Sequence, residues 1–247
     1  MKKEYSQNRF FELSQNACNR WIDTSTNFLN ITELAEFSNV KNKLPSNHFL
    51  IGGIENAERK MVVFSMFSEI NELDFVSYLK LTCKDEKFSE ELKHRNYLGA
   101  IMSLGIERDT IGDILIDCKT GYVICTKGIA DYIKNNLVSV GKTTVNIEVV
   151  DKLPSYLKIK LKDILISSAS NRIDLIISKL YGTSRKESNE LFNSNSVYVN
   201  DKLCLNNSYN LKPNDIVSVS GYGRFTFIEQ QSITKKGNFV YLIKKYV

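Results

Sequence analysis

The chain has 247 residues, 43% hydrophobic and 25% charged, which is ordinary for a globular protein and long enough for two or three domains with cores. No apolar run approaches the roughly 18 residues of a membrane span, and the start MKKEYSQNRFFELSQN lacks the apolar core and cleavage site of a signal peptide. The net charge of +5 is confined to the end: residues 167–247 hold 11 Lys and Arg against 6 Asp and Glu, leaving residues 1–166 neutral.

Phe10, Leu13, Ala17 and Trp21 fall at helical spacing and predict a helix from about Ser6 to Ile22. A second helix is expected over Ile31–Val40, with Asn30 and Glu33 at capping-box spacing. HFLIGG, MVVFSMF and DFVSYLKLTC read as strands, the first two separated by the charged turn IENAERK. These elements form a first α+β unit, residues 1–83, and the charged stretch KDEKFSEELK marks a boundary. A second unit, residues 84–164, opens with the helix SEELKHRNYLGAIMSLGI. Strands GDILID and YVICT follow, joined by CKTG with Gly121 supplying the turn. The helix GIADYIKNNL and the strand TTVNIEVV close it, and DKLPSYLKIKLKDILIS leads out as a strand.

In the last third, NRIDLIISKLYG is a helix with Ile173, Ile176, Ile177 and Leu180 on one face and Gly182 at its end. SRKESNELFNSN is a second helix, capped by Ser184 with Glu187 three residues on. SVYVNDKLC gives two strands about an Asn200–Asp201 turn, and SYNLKPNDIVSVSG a turn at Pro213–Asn214 before another strand. The second helix contains an anomaly. Its first two residues are Arg185 and Lys186, although the positive end of a helix dipole disfavours cations there by about 0.3–1 kcal/mol each. A phosphate bound at that end removes the conflict. Two solvated cations paired with Glu187 or Glu190 are the plainer alternative.

The order R-x-D, S-R-K, V-x-V-N-x-K, P-x-D-x-V, here Arg172 and Asp174, Ser184–Lys186, Val197–Lys202 and Pro213–Val217, resembles the S-four-type RNA-binding domain. Asn195, Asp201 and Asn214 stand where that family commonly has glycine, and Asn and Asp best tolerate the left-handed backbone. The resemblance implies a C-terminal RNA-binding domain over residues 167–247, with Arg172, Ser184, Arg185, Lys186 and Lys202 as phosphate contacts. GYGRFTF and ITKKGN add the aromatic Tyr222 and the cations Arg224, Lys235 and Lys236, an interleaving that suits RNA, while Phe225 and Phe227 are expected in the core.

With HRNYLGAIMSLGIERDTIGDILID ahead of this domain, most of the chain resembles the bacterial YlmH family. That resemblance implies an α+β fold: two RRM-like units, then the S-four-type domain. It implies a non-catalytic, cytoplasmic RNA-binder, monomeric when free and needing no cofactor or metal. Its partners would be ribosomal RNA and tRNA on the large ribosomal subunit, in quality control of stalled peptidyl-tRNA. In the middle unit His94, Arg95, Arg108 and Lys142 match basic or polar family positions. A solvent-facing His94, and an Arg108 paired with Asp109 or Glu107, are the alternatives. Gly112–Asp113 is read as shaping the start of a strand, not as a chemical site.

Three observations weigh against catalysis. No G-x-G-x-x-G is present for a doubly wound methyltransferase. The RNA-binding domain lies behind the position it takes in pseudouridine synthases, and the nucleotide-binding signatures of tyrosyl-tRNA synthetases are absent. The two histidines have no metal-ligand spacing with each other or with the five cysteines, whose odd number and lack of a C-x-x-C pair suggest free thiols. A division-linked interaction protein and an RNA-modifying enzyme are the competing classes.

Overall fold

The computed structural model describes residues 7–84, 92–159, 161–235 and 237–246. It is a mixed α+β protein that divides into two compact units, Met1–Glu33 with Val40–Ile159, and Lys160–Val247 with Leu34–Asn39.

The first unit begins with α1 (Gln7–Arg20) and β1 (Thr24–Ser25); α2 (Ile31–Val40) follows, its residues Leu34–Asn39 being grouped with the second unit. The Asn30–Glu33 capping box forms as expected: Asn30 N–H donates to Glu33 at 2.7 Å and Glu33 N–H to Asn30 at 3.0 Å. Two strands follow, β2 (Asn47–Ile51) and β3 (Met61–Ser65), and β3 is buried at every position. They make a three-stranded sheet in the order β1-β3-β2.

Next come β4 (Val76–Cys83), α3 (His94–Met102), β5 (Ile111–Asp117), β6 (Thr120–Thr126), α4 (Lys127–Asn136), β7 (Ser139–Val140) and β8 (Thr143–Val150). The strand expected to close the 1–83 unit does not join the first sheet. β4 lies at the centre of a five-stranded sheet, β5-β6-β4-β8-β7, antiparallel to both β6 and β8. Its Leu79 and Leu81 are fully buried in one core with Tyr97, Ile101, Val123 and Ile133. Alternation showed that β4 had a buried face but not which strands would cover its edges.

Gly121 has a different role from the expected turn residue. The left-handed turn position is Cys118, φ 51°, while Gly121 lies in β6 beneath the Tyr97 ring. A Cβ at Gly121 would stand 2.3 Å from Tyr97 Cε1, and Tyr97 is 1% exposed. The variant Gly121→Ala should therefore overpack this core and destabilise the first unit by about 1–3 kcal/mol. Denaturant unfolding followed through Trp21, the one tryptophan of the chain, measures this; an unshifted midpoint would show that the ring has room to move.

The second unit holds β9 (Leu161–Ser168), α5 (Ile173–Tyr181), α6 (Arg185–Asn193), β10 (Val197–Val199), β11 (Lys202–Leu203), β12 (Ile216–Val219), β13 (Gly223–Ile233) and β14 (Phe239–Tyr246). Its sheet runs β11-β10-β12-β13-β14-β9, so the leading-out strand becomes an edge beside the last strand. The apolar stripe of α5 (Ile173, Ile176, Ile177) packs with Phe192, Val217, Phe225, Phe227 and Ile243. Phe225 and Phe227 are core residues as expected, 0% and 3% exposed. Asn195, Asp201 and Asn214 all have positive φ, at 55°, 61° and 69°. These short polar side chains take the backbone region that glycine would otherwise supply. All five cysteines are free thiols.

Among the described residues, no helix is long and apolar enough to cross a membrane.

Candidate nucleic-acid interface

The start of α6 is built by the end of α5. Gly182 leaves α5 in the left-handed region at φ 68°, and the N–H groups of Gly182 and Thr183 both donate to the Ser178 carbonyl. This terminates α5 and delivers Ser184 in an extended conformation, φ −68° and ψ 161°, as the cap of α6. The capping box forms: Glu187 N–H donates to Ser184 Oγ at 3.2 Å, and Ser184 N–H donates to Glu187 Oε2 at 2.7 Å. Glu187, the acid of the first turn, is thus occupied by the cap.

The inner face of α6 is pinned by polar contacts. The buried Ser188 donates its hydroxyl to the Asp174 carbonyl at 3.0 Å, and Asn207 donates its side-chain amide to Asn189 Oδ1 at 3.1 Å. Asp174 N–H in turn donates to the Asn207 carbonyl. The start of α5, the middle of α6 and the 206–209 loop therefore form one bonded cluster.

The cations of α6 lie outside that cluster. Arg185 is exposed and makes no hydrogen bond or ion pair among the described residues. Lys186 is 89% exposed, and its Nζ reaches Glu190 only at 4.0 Å, a solvated i,i+4 pair worth a few tenths of a kcal/mol at most. The alternative expected from sequence, both cations held by Glu187 or Glu190, applies weakly to Lys186 and not to Arg185.

Arg172 is engaged. Its guanidinium forks onto Asp174, Nε to Oδ1 at 3.1 Å and Nη2 to Oδ2 at 2.8 Å, with the arginine side chain 41% exposed. Lys202 is exposed on the edge strand β11, and Lys235 is exposed between β13 and β14; Lys236 lies outside the described residues.

Arg224 overturns its reading as a phosphate contact: it is 5% exposed, with its guanidinium 5.2 Å from the Tyr246 ring centre. It stands on the sheet face opposite Phe225, so it shares neither that core nor the open surface.

Sequence reasoning singled out Tyr222 but missed its neighbours Tyr181 and Lys245. Tyr181, the last residue of α5, stacks tilted on exposed Tyr222 at 5.2 Å, and Lys245 Nζ lies 4.8 Å from the Tyr181 ring centre. The signal was present in β14, where Phe239, Tyr241, Ile243 and Lys245 alternate onto one face.

In the first unit Arg95 is exposed on the first turn of α3, and Lys142 is exposed beside the β7–β8 turn. For Arg108 the alternative ion pair does not form: it pairs with neither Asp109 nor Glu107, and instead donates from Nη1 to the Ile111 carbonyl. Burial, and then the charge of Arg59, lower its pKa to about 10. Desolvation and the Arg108 charge likewise lower the pKa of His94. Asp113 accepts the backbone N–H groups of Glu58 and Arg59, at 2.7 and 3.2 Å, so its carboxylate fixes the IENAERK turn. Gly112 leaves space for the Phe28 ring, since a Cβ there would lie 2.8 Å from Phe28 Cε1. Both residues shape structure, as read from sequence. Among the described residues no group of three or more His, Cys, Asp or Glu could hold a metal ion.

The cap has a pH signature. Accepting the Ser184 N–H, with a smaller contribution from the Ser184 hydroxyl, holds the Glu187 pKa below its ordinary 4.5. A depressed folded-state pKa contributes stability above the unfolded value, and this is lost as pH falls through the folded value. Protection of the first-turn amides of α6 against hydrogen exchange, taken relative to the intrinsic rate at each pH, should fall as the Glu187 carboxylate is protonated in acid, and Glu187→Ala should abolish that step.

Comparison with known proteins places this geometry in context. Residues 71–153 match the family described as "Putative RNA-binding domain in YlmH". The chain is 29% identical over 216 residues to the "Ribosome-associated protein quality control protein P2" of Bacillus subtilis (strain 168), covering 85% of this chain and 82% of the relative. Among solved structures, the "Cell division protein ylmH from Streptococcus pneumoniae" aligns with a TM-score of 0.45 and 19% identity, over 61% of this chain and 95% of that one.

Proposed function

We propose that the chain is a member of the YlmH family, on the match of residues 71–153 and a relative aligned across 85% of its length, and that it is a non-catalytic RNA-binding protein. It acts in the cytoplasm in ribosome-associated quality control, as the name of the Bacillus subtilis relative suggests for that protein. Its targets are ribosomal RNA and tRNA of the large ribosomal subunit carrying stalled peptidyl-tRNA, and it is monomeric when free. Residues 167–247 serve as its S-four-type RNA-binding domain.

One observation carries this reading. The dipole of α6 and two exposed cations, Arg185 and Lys186, converge at a helix end whose acid, Glu187, is taken by the cap. A backbone phosphate there accepts from free N–H groups and is gripped by the arginine fork. Ser184 fixes the helix end, the outer edge of Arg172 and the exposed Lys202 continue the track, and Lys235 adds a further contact. Lys245 over Tyr181, with Tyr222 alongside, offers a ring surface for an unstacked base. Arg95 and Lys142 are the secondary contacts in the first unit.

Purified chain titrated with large subunits, tRNA and an unrelated RNA over a salt series tests this. Preference for large subunits, with log affinity falling linearly in log salt, is the expected result. Equal, salt-insensitive binding to all three would reject it.

A further inference from the structure

We propose that a cleft in the second unit, between the 211–213 turn and the β13–β14 pair, holds one unstacked RNA base, adenine before the other three. This deepens the RNA-binding reading and rests on it.

The cleft has a volume of about 360 Å³, at the low end of the range for small-ligand sites. Phe227 and Tyr241, 3% and 4% exposed with ring centres 5.4 Å apart, form its floor. Half-buried Phe239, 6.2 Å from Tyr241, is one wall, and Leu211 and Pro213 are the other. The arrangement is a slot with an aromatic side, suited to a flat ring.

The polar groups favour a base over a phosphate. Among the described residues no cation lines the cleft and its one carboxylate is Glu229, which accepts from Gln231 Nε2 at 3.1 Å, while the Asn171 side-chain amide donates to the Leu211 carbonyl at 2.9 Å. The Gln230 amide and the Tyr241 hydroxyl have no hydrogen-bond partner among the described residues. A register shift between Phe227 and Glu229 sets Gln230 directly opposite Tyr241. Without that extra residue, strand alternation would turn Gln230 to the other sheet face. A glutamine amide pairs bidentately with adenine N6 and N7, and single-stranded RNA presents bases with such edges free. Exposed Lys212, between the two wall residues, is placed for the phosphate of the same nucleotide.

The test uses the full chain. Adenosine monophosphate, followed by NMR at millimolar concentration, should shift signals of Gln230, Phe239 and Tyr241, and uridine monophosphate should do so less. In a pair of short single-stranded RNAs differing by one adenine-to-uracil change, Gln230→Leu should erase the preference. Phe239→Leu keeps apolar packing but removes the ring, and should weaken the adenine RNA about tenfold with an unchanged salt slope. If Phe239→Leu misfolds, the wild-type titration and Gln230→Leu still decide. Nucleotide shifts absent or scattered, or a tryptophan peptide occupying the cleft where nucleotides do not, would overturn the proposal. The nucleotide shifts should persist in Arg185→Ala/Lys186→Ala protein, so failure of the α6 site and failure of the cleft are distinguishable.

Discussion

Replacing Arg185 and Lys186 together by alanine is expected to lower RNA affinity at low salt by at least about tenfold, since one hydrogen bond to a charged group is worth about 1.5–3 kcal/mol. The slope of log affinity against log salt should flatten by roughly 1.4–1.8, from two phosphate contacts at about 0.7 each on single strands or 0.9 on a duplex. Stability should stay level or rise slightly, because both cations oppose the helix dipole in the free protein. Loss of binding without loss of fold is what separates a contact role from a structural one. The single variants should be unequal. Arg185 has no partner to release among the described residues, whereas Lys186 first gives up its 4.0 Å approach to Glu190, so Arg185→Ala should cost more. Arg185→Lys should recover the slope but only part of the affinity, because an ammonium cannot make the two parallel bonds of a guanidinium. An unchanged slope in the double variant would remove α6 from the interface.

How much of this site was legible depends on how local its causes are. The Ser184–Glu187 box, the end of α5 at Gly182 and the left-handed positions of Asn195, Asp201 and Asn214 are decided within a few residues, and each stands where the sequence puts it. The exposure of Arg185 and Lys186 follows from the same short stretch. The phosphate contact expected of Arg224 and the ion pair offered as the alternative for Arg108 fail because both depend on partners that spacing does not reveal. A period of two says that Arg224 faces away from Phe225, but not that the Tyr246 ring waits there. Nothing near Arg108 announces that the Ile111 carbonyl, and not a neighbouring acid, will accept its hydrogen bond. The strand β4 was grouped with the elements of residues 1–83 yet pairs with β6 and β8 for the same reason: edge pairing is a long-range choice, and its own side chains encode only which face is buried.

Asp215→Ala is expected to destabilise the second unit by about 3 kcal/mol while leaving the first unit as it is. Asp215 is 6% exposed and accepts three hydrogen bonds, from Asn200 Nδ2 at 2.8 Å, Lys212 N–H at 2.8 Å and the Tyr209 hydroxyl at 3.1 Å. It thus ties together the β10–β11 turn, the 206–212 loop and the start of β12. Removing it strands three donors, each costing about 1–3 kcal/mol if kept from water; those on Lys212 and Tyr209 sit near the surface and recover part of that. Asp215→Asn keeps one acceptor and should cost about half as much. Burial, followed by the hydrogen bond to Asp215, raises the Tyr209 pKa above 10.0, so in Asp215→Ala it should move back toward that value in an ultraviolet titration. The site should feel the change as well. The Tyr209 carbonyl accepts the first N–H of α5, and the Asn207 beside it holds Asn189 of α6, so loosening this loop frees the two helix starts to move apart. RNA binding should weaken at temperatures where the unit is still folded, with the salt slope retained because no cation is lost. Trp21 fluorescence, which reports only the first unit, should keep its denaturant midpoint while hydrogen exchange in β12 and α5 accelerates. Protection of those amides at the wild-type level would mean that the three donors find other acceptors, and that the carboxylate is dispensable to the unit.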